Sequence, residues 1–401
     1  MLQAADGSIV GALEPFTVPQ PWWPEVADVV EEARRQRAID VTVLRILHAR
    51  PDPEDPSGMG GDVTYVAELH GAAPRDLRAP DPRVAAEALE EQPLRLPFAR
   101  LGGPARELAW AQQMLAARAR PQTGPARQIR TCNLSGIWSI PTAAGTVWLK
   151  SVPPFFAHEG AVIEFLSDPA LPTLVAAARG RMVTEEIPGI DLYDAPLAML
   201  ERAVSTLVAL QDRVADRIDE LFALGLPDWR WPAFEPRMRD VIARHGYELD
   251  GPERAALDRL VEGFDARCAA IDACGLPMTL VHGDFHPGNL RGDGRQLTLL
   301  DWGDSGVGHP LFDLPAMVER IEPSSRDEFV ARWARAWQER RPDADPVRAA
   351  RLVEPLAGIR QALIYRHFLD HIEPSEHRYH ERDPGRWLRR VAASGKTISL
   401  D

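Results

Sequence analysis

Lysine is almost absent from this chain of 401 residues. It occurs only at Lys150 and Lys396, and the rest of the 46 basic residues are arginine. Arginine is therefore the default cation, and a lysine stands out. Cysteine is also scarce, with Cys132, Cys268 and Cys274. An odd, small number argues against a disulfide scaffold and for a reducing cytoplasm. No apolar run approaches the ~20 residues that a membrane span needs. The opening Met1-Leu2-Gln3-Ala4-Ala5-Asp6 has neither a basic nor an apolar region, so no secretory signal is expected there. Positive charge is outweighed, 46 basic against 59 acidic residues, for a net charge of −13. That excludes nucleic-acid binding over a broad basic surface. No G-x-x-x-x-G-K-[ST] run occurs, which excludes a P-loop enzyme.

The composition is otherwise globular, with 45% apolar and 26% charged residues. The length suits two or three domains. Residues 23–38 have helical spacing, with Val26, Val29, Val30 and Ala33 on one face. Residues 39–49 and 63–70 read as strands around a Pro- and Gly-rich loop at 51–62, followed by a short helix at 84–91. This first segment, 1–103, is expected to be an α/β packing module without catalytic residues. A chain beginning near Leu101 is expected to keep the ligand binding of the remainder. A helix at 104–121 precedes three strand signals, 127–133, 137–141 and 146–151. A helix at 158–166 and a strand at 181–186 follow. Antiparallel strands with one inserted helix predict an α+β lobe over 104–188. Residues 189–401 read as mostly helical, interrupted by two short strands at 278–281 and 297–301.

The chemistry concentrates in one stretch, Val281-His282-Gly283-Asp284-Phe285-His286-Pro287-Gly288-Asn289-Leu290. Asp284 follows a strand, Asn289 is five residues on, and Asp301 closes the next strand twelve residues later. A carboxylate, an amide and a second carboxylate in this order form the kinase arrangement. Phosphoryl transfer needs a carboxylate to orient the acceptor hydroxyl and take its proton, which suits Asp284. It needs hard oxygen ligands for Mg²⁺, which suits Asn289 and Asp301. Turn chemistry alone accounts for Pro287-Gly288 and 291–294 but not for the spaced acids.

The runs HGDFHPGN and LLDWGDSGVGHPLFDL, spanning 282–314, resemble the aminoglycoside phosphotransferase and choline kinase-like superfamily. The resemblance implies a two-lobed protein-kinase-like fold, with a small antiparallel-sheet N-lobe and a mostly helical C-lobe. It implies transfer of the γ-phosphoryl of ATP or GTP, with Mg²⁺, to a hydroxyl of a small molecule. It also makes demands upstream. Lys150, at the end of an apolar strand, fits the lysine that neutralises the phosphates. Glu159, opening the following helix, fits its carboxylate partner, with Glu164 as the alternative. Asn133-Leu134-Ser135-Gly136 resembles the short phosphate-covering turn, in which Ser135 and Gly136 would present main-chain N–H groups. Glu185-Glu186-Ile187 resembles the hinge, where adenine would bond the main chain from Glu185 to Ile187. His282 and His286 are expected to brace the catalytic loop. Asp313 resembles the structural aspartate that anchors the loop after the metal. Asp304 is left as a turn residue or a substrate contact.

His367, His371, His377 and His380 fall within fourteen residues. Zinc binding is the remote reading, and lining the acceptor pocket the favoured one. The pairs Trp22/Trp23 and Trp229/Trp231 read as core. A protein kinase is disfavoured by the missing HRD, DFG and APE signatures, and a non-catalytic nucleotide-binding regulator by the intact Asp284, Asn289 and Asp301. Glu185, Glu186, Asp191, Asp194, Asp304, Glu373 and Glu376 would leave the acceptor side negative, so a cationic acceptor is expected.

Overall fold

The computed structural model describes residues 1–54 and 60–394. Part of the expected 51–62 loop, and Lys396, lie outside the described residues. The chain forms two compact units. The first comprises Met1–Ala157, Leu174–Glu186 and His371–Tyr379; the second comprises His158–Thr173, Ile187–Asp370 and His380–Asp401.

The first unit contains two sheets. In chain order its elements begin with β1 (Leu2–Gln3), β2 (Ile9–Gly11), helix α1 (Ala27–Arg37), β3 (Asp40–Pro51), β4 (Gly61–His70) and helix α2 (Pro82–Leu89). The first sheet has the order β2-β1-β4-β3. Val29, Val30 and Ala33 of α1, with the preceding Val26, pack on Val41, Val43 and Leu69. Asp81 caps α2 by accepting the Arg83 N–H at 2.7 Å, with Pro82 in the first turn where no N–H is needed.

Helix α3 (Gly103–Ala116) follows, then β5 (Arg127–Cys132), β6 (Ser135–Thr142), β7 (Gly145–Ser151), β8 (Leu174–Ala178) and β9 (Arg181–Glu185). They form an antiparallel sheet of order β5-β6-β7-β9-β8. Alternation sends Trp138, Ile140, Val147, Leu149 and Val183 inward against Ala111 and Leu115 of α3. Burial of each large apolar side chain contributes about 1.5–3 kcal/mol.

A division of the chain at residue 103 does not appear in the structure. Leu96, Phe98 and Ala99 sit in the core of the second sheet. Strand β5 is an edge strand, and residues 24–26 cover it: the Thr131 N–H bonds the Pro24 carbonyl and the Val26 N–H the Ile129 carbonyl, both at 2.9 Å. The buried Gln128 amide satisfies both main-chain groups of Val43, at 2.9 and 2.7 Å. An edge strand presents unpaired polar groups, and here the extension supplies their partners. The expected freestanding module is thus part of the sheet's own unit, and truncation near Leu101 would strip its core and its edge.

The second unit opens with helix α4 (Glu159–Leu166) and β10 (Ile190–Asp191), then α5 (Leu197–Arg213). Further on come β11 (Thr279–Val281), β12 (Leu290–Gly292), β13 (Leu297–Leu299) and β14 (Gly306–Gly308), and the long helix Pro346–His371. The strands form a three-stranded sheet, β10-β12-β13, and a pair, β11-β14. The expected helical character of this region holds. Strands β1, β2, β10 and β14 are two or three residues long and carry no readable alternation. The second unit also takes α4, which the sequence pattern placed with the sheet lobe. No helix among the described residues is long and apolar enough to cross a membrane.

Candidate active site

Two strand pairs deliver the HGDFHPGN loop and Asp301 to one end of the second unit. In the β12–β13 hairpin Leu290 faces Leu299, and the Leu300 N–H reaches back to the Asn289 carbonyl at 2.8 Å. Asn289 and Asp301 therefore flank the open end of the hairpin. In the β11–β14 pair Val281 faces Gly306, so the chain beyond Val281 meets the chain preceding Gly306. At that meeting Gly283 has φ +97°, and a Cβ there would lie 2.1 Å from the Asp304 carbonyl oxygen. Only glycine fits both the backbone conformation and the approach.

Asp284 is held on two sides. The Asn289 Nδ2 donates to its carbonyl oxygen at 2.8 Å and to Oδ2 at 3.0 Å. His286 Nε2 lies 3.4 Å from the same Oδ2. His286 Nδ1 accepts the Gly288 N–H at 3.0 Å, so the ring proton sits on Nε2, facing Asp284. Burial opposes charge on Asp284, but the His286 imidazole and its hydrogen bond outweigh it. The carboxyl is held well below its usual range. His286 was expected to brace the loop; it does so through the Gly288 N–H, and its ring also faces the carboxylate.

His282 does brace. It is fully buried, its Nε2 donates to the Leu300 carbonyl at 2.8 Å, and its ring lies 4.5 Å from that of Trp302. Burial lowers it to about 4. The imidazole is thus a neutral strut from the catalytic loop to the residue before Asp301.

Asp313 grips this loop as well, rather than the one after Asp301. Its Oδ2 accepts the His282 N–H at 3.0 Å and the Gln211 amide at 2.9 Å, and its Oδ1 accepts the Gly283 N–H at 2.7 Å. Burial pushes its carboxyl up to about 6, against the pull of Arg360 and the two N–H groups. Arg360, buried on the long helix, donates to the Gly283 carbonyl at 3.1 Å and the Asp304 carbonyl at 3.0 Å. It ties the two loops together. Neither Arg360 nor Gln211 was singled out from the sequence. A charged residue inside the apolar run Leu356-Ala357-Gly358-Ile359-Arg360-Gln361-Ala362 was the available signal.

Asp301 has φ 59° and ψ 66°, the left-handed region that non-glycine residues rarely enter. Strain of this kind is characteristic of functional positions. With Asn289 Nδ2 committed to Asp284, the amide oxygen is the atom of that side chain suited to a cation. An amide oxygen and a carboxylate are the donor types a hard divalent cation takes, so the residues present suit Mg²⁺.

The other anticipated residues are carried by other elements of the two units. Lys150 is half-buried on β7, opposite Ile137 and Met182, in the first unit. Glu159, the first residue of α4 in the second unit, is buried, whereas Glu164 is exposed. Ser135 and Gly136 open β6 in the first unit. Glu185 forms a two-pronged pair with Arg120, and the Glu186 carboxylate accepts the Trp148 indole N–H at 3.1 Å. The Ile187 carbonyl accepts the Arg291 Nε at 3.0 Å, so that hinge group is engaged.

Glu373 and Glu376 are not open acids. Glu373 pairs with Arg95 at 3.2 Å, with both side chains at most 10% exposed. Glu376 is buried beneath Asn133. His377 Nε2 approaches the Ile372 carbonyl, and His380 packs on Tyr365 and Phe368. Among the described residues no group of three or more His, Cys, Asp or Glu could hold a metal ion. Trp23 stacks on Tyr379 and Trp229 is buried, as core residues.

A sequence profile described as the phosphotransferase enzyme family matches residues 152–351, a span that contains Glu159, Asp284, Asn289, Asp301 and Asp313. The chain belongs to the phosphotransferase enzyme family. Its activity class is that of a phosphotransferase. No curated protein matches this phosphotransferase. Its fold is similar to that of a macrolide 2'-phosphotransferase type I, at 16% identity and a TM-score of 0.52, covering 72% of this chain and 98% of that one. It is also similar to a macrolide 2'-phosphotransferase from Brachybacterium faecium, at 19% identity and a TM-score of 0.51, covering 69% and 97%. The phosphotransferase thus has the kinase-like fold: an antiparallel-sheet unit and a mostly helical one.

Proposed function

We propose that this phosphotransferase moves the γ-phosphoryl group of ATP or GTP, with Mg²⁺, onto the hydroxyl of a cationic small molecule such as an amino sugar, an aminoglycoside or an amino alcohol. The observation that carries the reading is the Asp284 carboxylate, fixed by Asn289 and His286 at the end of the unit where the hairpin also delivers Asp301.

Asp284 accepts the acceptor's hydroxyl hydrogen bond and orients its oxygen. A carboxylate held well below its usual range is a weak base, so it takes the proton late, as the oxygen–phosphorus bond forms. Asn289 and Asp301 would hold the divalent cation, which neutralises phosphate charge when bound. Lys150, with Glu159 as its partner, would neutralise the phosphates, and the Ser135 and Gly136 N–H groups would meet phosphate oxygens. Main-chain groups from Glu185 to Ile187 would receive the base. The Ile187 carbonyl already serves Arg291, which leaves this role to the neighbouring groups. The exposed Asp191 and Asp194, with Asp304, favour a cationic acceptor.

The test is nucleotide consumption, screened over hydroxyl compounds with and without an amine. An acceptor that stimulates Mg²⁺-dependent turnover in the wild type, with Asp284→Asn binding nucleotide normally and turning over at least 100-fold more slowly, is the expected result. Wild-type turnover in Asp284→Asn overturns the base assignment.

A further inference from the structure

The extension and a returning C-terminal segment meet on one short turn. Asn133 and Leu134 join β5 to β6, with Cys132 facing Ser135 as the last pair of the ladder. Two-residue hairpin turns favour forms with positive φ, yet neither Asn133 nor Leu134 has one. The turn's conformation therefore depends on contacts from outside the hairpin.

Those contacts come from Glu373 and Glu376. Glu376 Oε2 accepts the Asn133 N–H at 2.8 Å, and Asn133 Oδ1 accepts the Glu373 N–H at 3.2 Å. Asn133 and Glu376 are both buried. The extension secures the segment in turn: Arg95 pairs with Glu373, and Trp23 stacks on Tyr379 at 4.0 Å. The Tyr65 hydroxyl donates to the Trp23 carbonyl at 2.6 Å. Leu134 and Tyr379 pack in one cluster with Trp23, Ile46 and Tyr65. On the far side Phe98 closes on Gly136, where an added Cβ would lie 3.2 Å from its ring and nearer still to Trp138.

We propose that Glu376 and Asn133 are positioning residues for the nucleotide: together with the extension they hold the turn so that the Ser135 and Gly136 N–H groups face the phosphates. The proposal rests on the reading of this turn as the phosphate-covering one, and gives the N-terminal extension a role in nucleotide affinity. Burial pushes the Glu376 carboxyl up to about 8, against the Asn133 N–H that favours its charge, so a neutral amide is its close mimic near neutral pH.

The experiment uses the full chain. Glu376→Leu, Glu376→Gln and Asn133→Ala are compared with wild type by amide hydrogen exchange at 133–136 and by steady-state kinetics with MgATP. Glu376→Leu leaves a buried N–H unpaired. It should speed exchange at the turn and raise KM for ATP about tenfold, with kcat within about twofold. Glu376→Gln should restore both. Asn133→Ala, which keeps the N–H but loses the Glu373 contact, should move KM in the same direction and decides the matter if Glu376→Leu does not fold. Faster exchange with wild-type KM, or wild-type exchange and KM in the folded variants, overturns the proposal. A wild-type chain that binds no nucleotide overturns instead the reading on which it rests.

Discussion

Gly283→Ala isolates the contact on which the site geometry turns. Two costs are separable in the structure. The residue has φ +97°, which an L side chain adopts at a cost of roughly 1–2 kcal/mol. The added methyl would also sit 2.1 Å from the Asp304 carbonyl oxygen and 2.6 Å from its carbon, main-chain atoms that no rotamer change can withdraw. Overpacking of this kind costs typically 1–3 kcal/mol. The sum is about 2–5 kcal/mol of stability, and the relief is a separation of the loops bearing Asp284 and Asp301. Gly294→Ala is the control. Gly294 has φ +89°, and nothing lies within 4 Å of where its methyl would sit, so only the conformational cost applies, the same roughly 1–2 kcal/mol. Urea unfolding should separate the two variants by at least about 1 kcal/mol. Turnover should fall about 100-fold in Gly283→Ala, as a displacement near 1 Å at reacting groups gives, and stay near wild type in Gly294→Ala. Equal stabilities, or full turnover in Gly283→Ala, would refute the argument that the two loops are set by this approach.

Three further outcomes are expected. Asp301→Gly should be more stable than Asp301→Ala by about 1 kcal/mol, because glycine accepts φ 59° and alanine does not, while both lose Mg²⁺-dependent turnover; chemical denaturation beside the activity assay checks this. Stability should fall as pH drops from 6.5 toward 4. Buried His282 and His309 are lowered from 6.5 to about 4 and about 3, so the unfolded chain takes up protons there that the folded chain refuses; the two together outweigh Asp313 and Glu376, whose values of about 6 and about 8 favour protonation in the fold and oppose the fall, and denaturant midpoints across that range read the slope. An amino sugar should have a KM roughly fivefold below its neutral counterpart at low salt, with the difference lost at high salt and in the double variant Asp191→Asn/Asp194→Asn, since exposed charges contribute about 1 kcal/mol at 4 Å and are screened beyond ~10 Å at 0.1 M.

The elements most legible in the sequence were those whose periodicity is local. Strands β6 and β7 alternate cleanly because one face meets α3, and α1 shows its valines at helical spacing. Strand β8, with Leu174-Val175-Ala176-Ala177-Ala178, has no alternation and takes its place by pairing with β9. The extension's membership of the sheet unit was not legible. It depends on Gln128 reaching Val43 and on Phe98 closing over Gly136, contacts between residues 85 and 38 positions apart that no local pattern encodes.

The site divides along the same line. The candidates Asp284, Asn289 and Asp301 could be picked out because phosphoryl transfer demands particular atoms, carried on one loop and the end of the hairpin that follows it. The residues that hold them were hidden for a physical reason: a buried cation whose hydrogen-bond partners are main-chain carbonyls has no side-chain partner at a readable spacing. Arg360 meets Gly283 and Asp304 only through their carbonyl oxygens. Glu376 escaped in the opposite way. Its charge placed it among the open acids, whereas it is buried and its partner is a main-chain N–H. Formal charge is thus a poor guide in this chain to which acids act on a ligand. Partners decide it: Glu185, Glu373 and Glu376 are committed to Arg120, Arg95 and Asn133, so on the proposed reading the acids that would meet an acceptor are the second unit's aspartates.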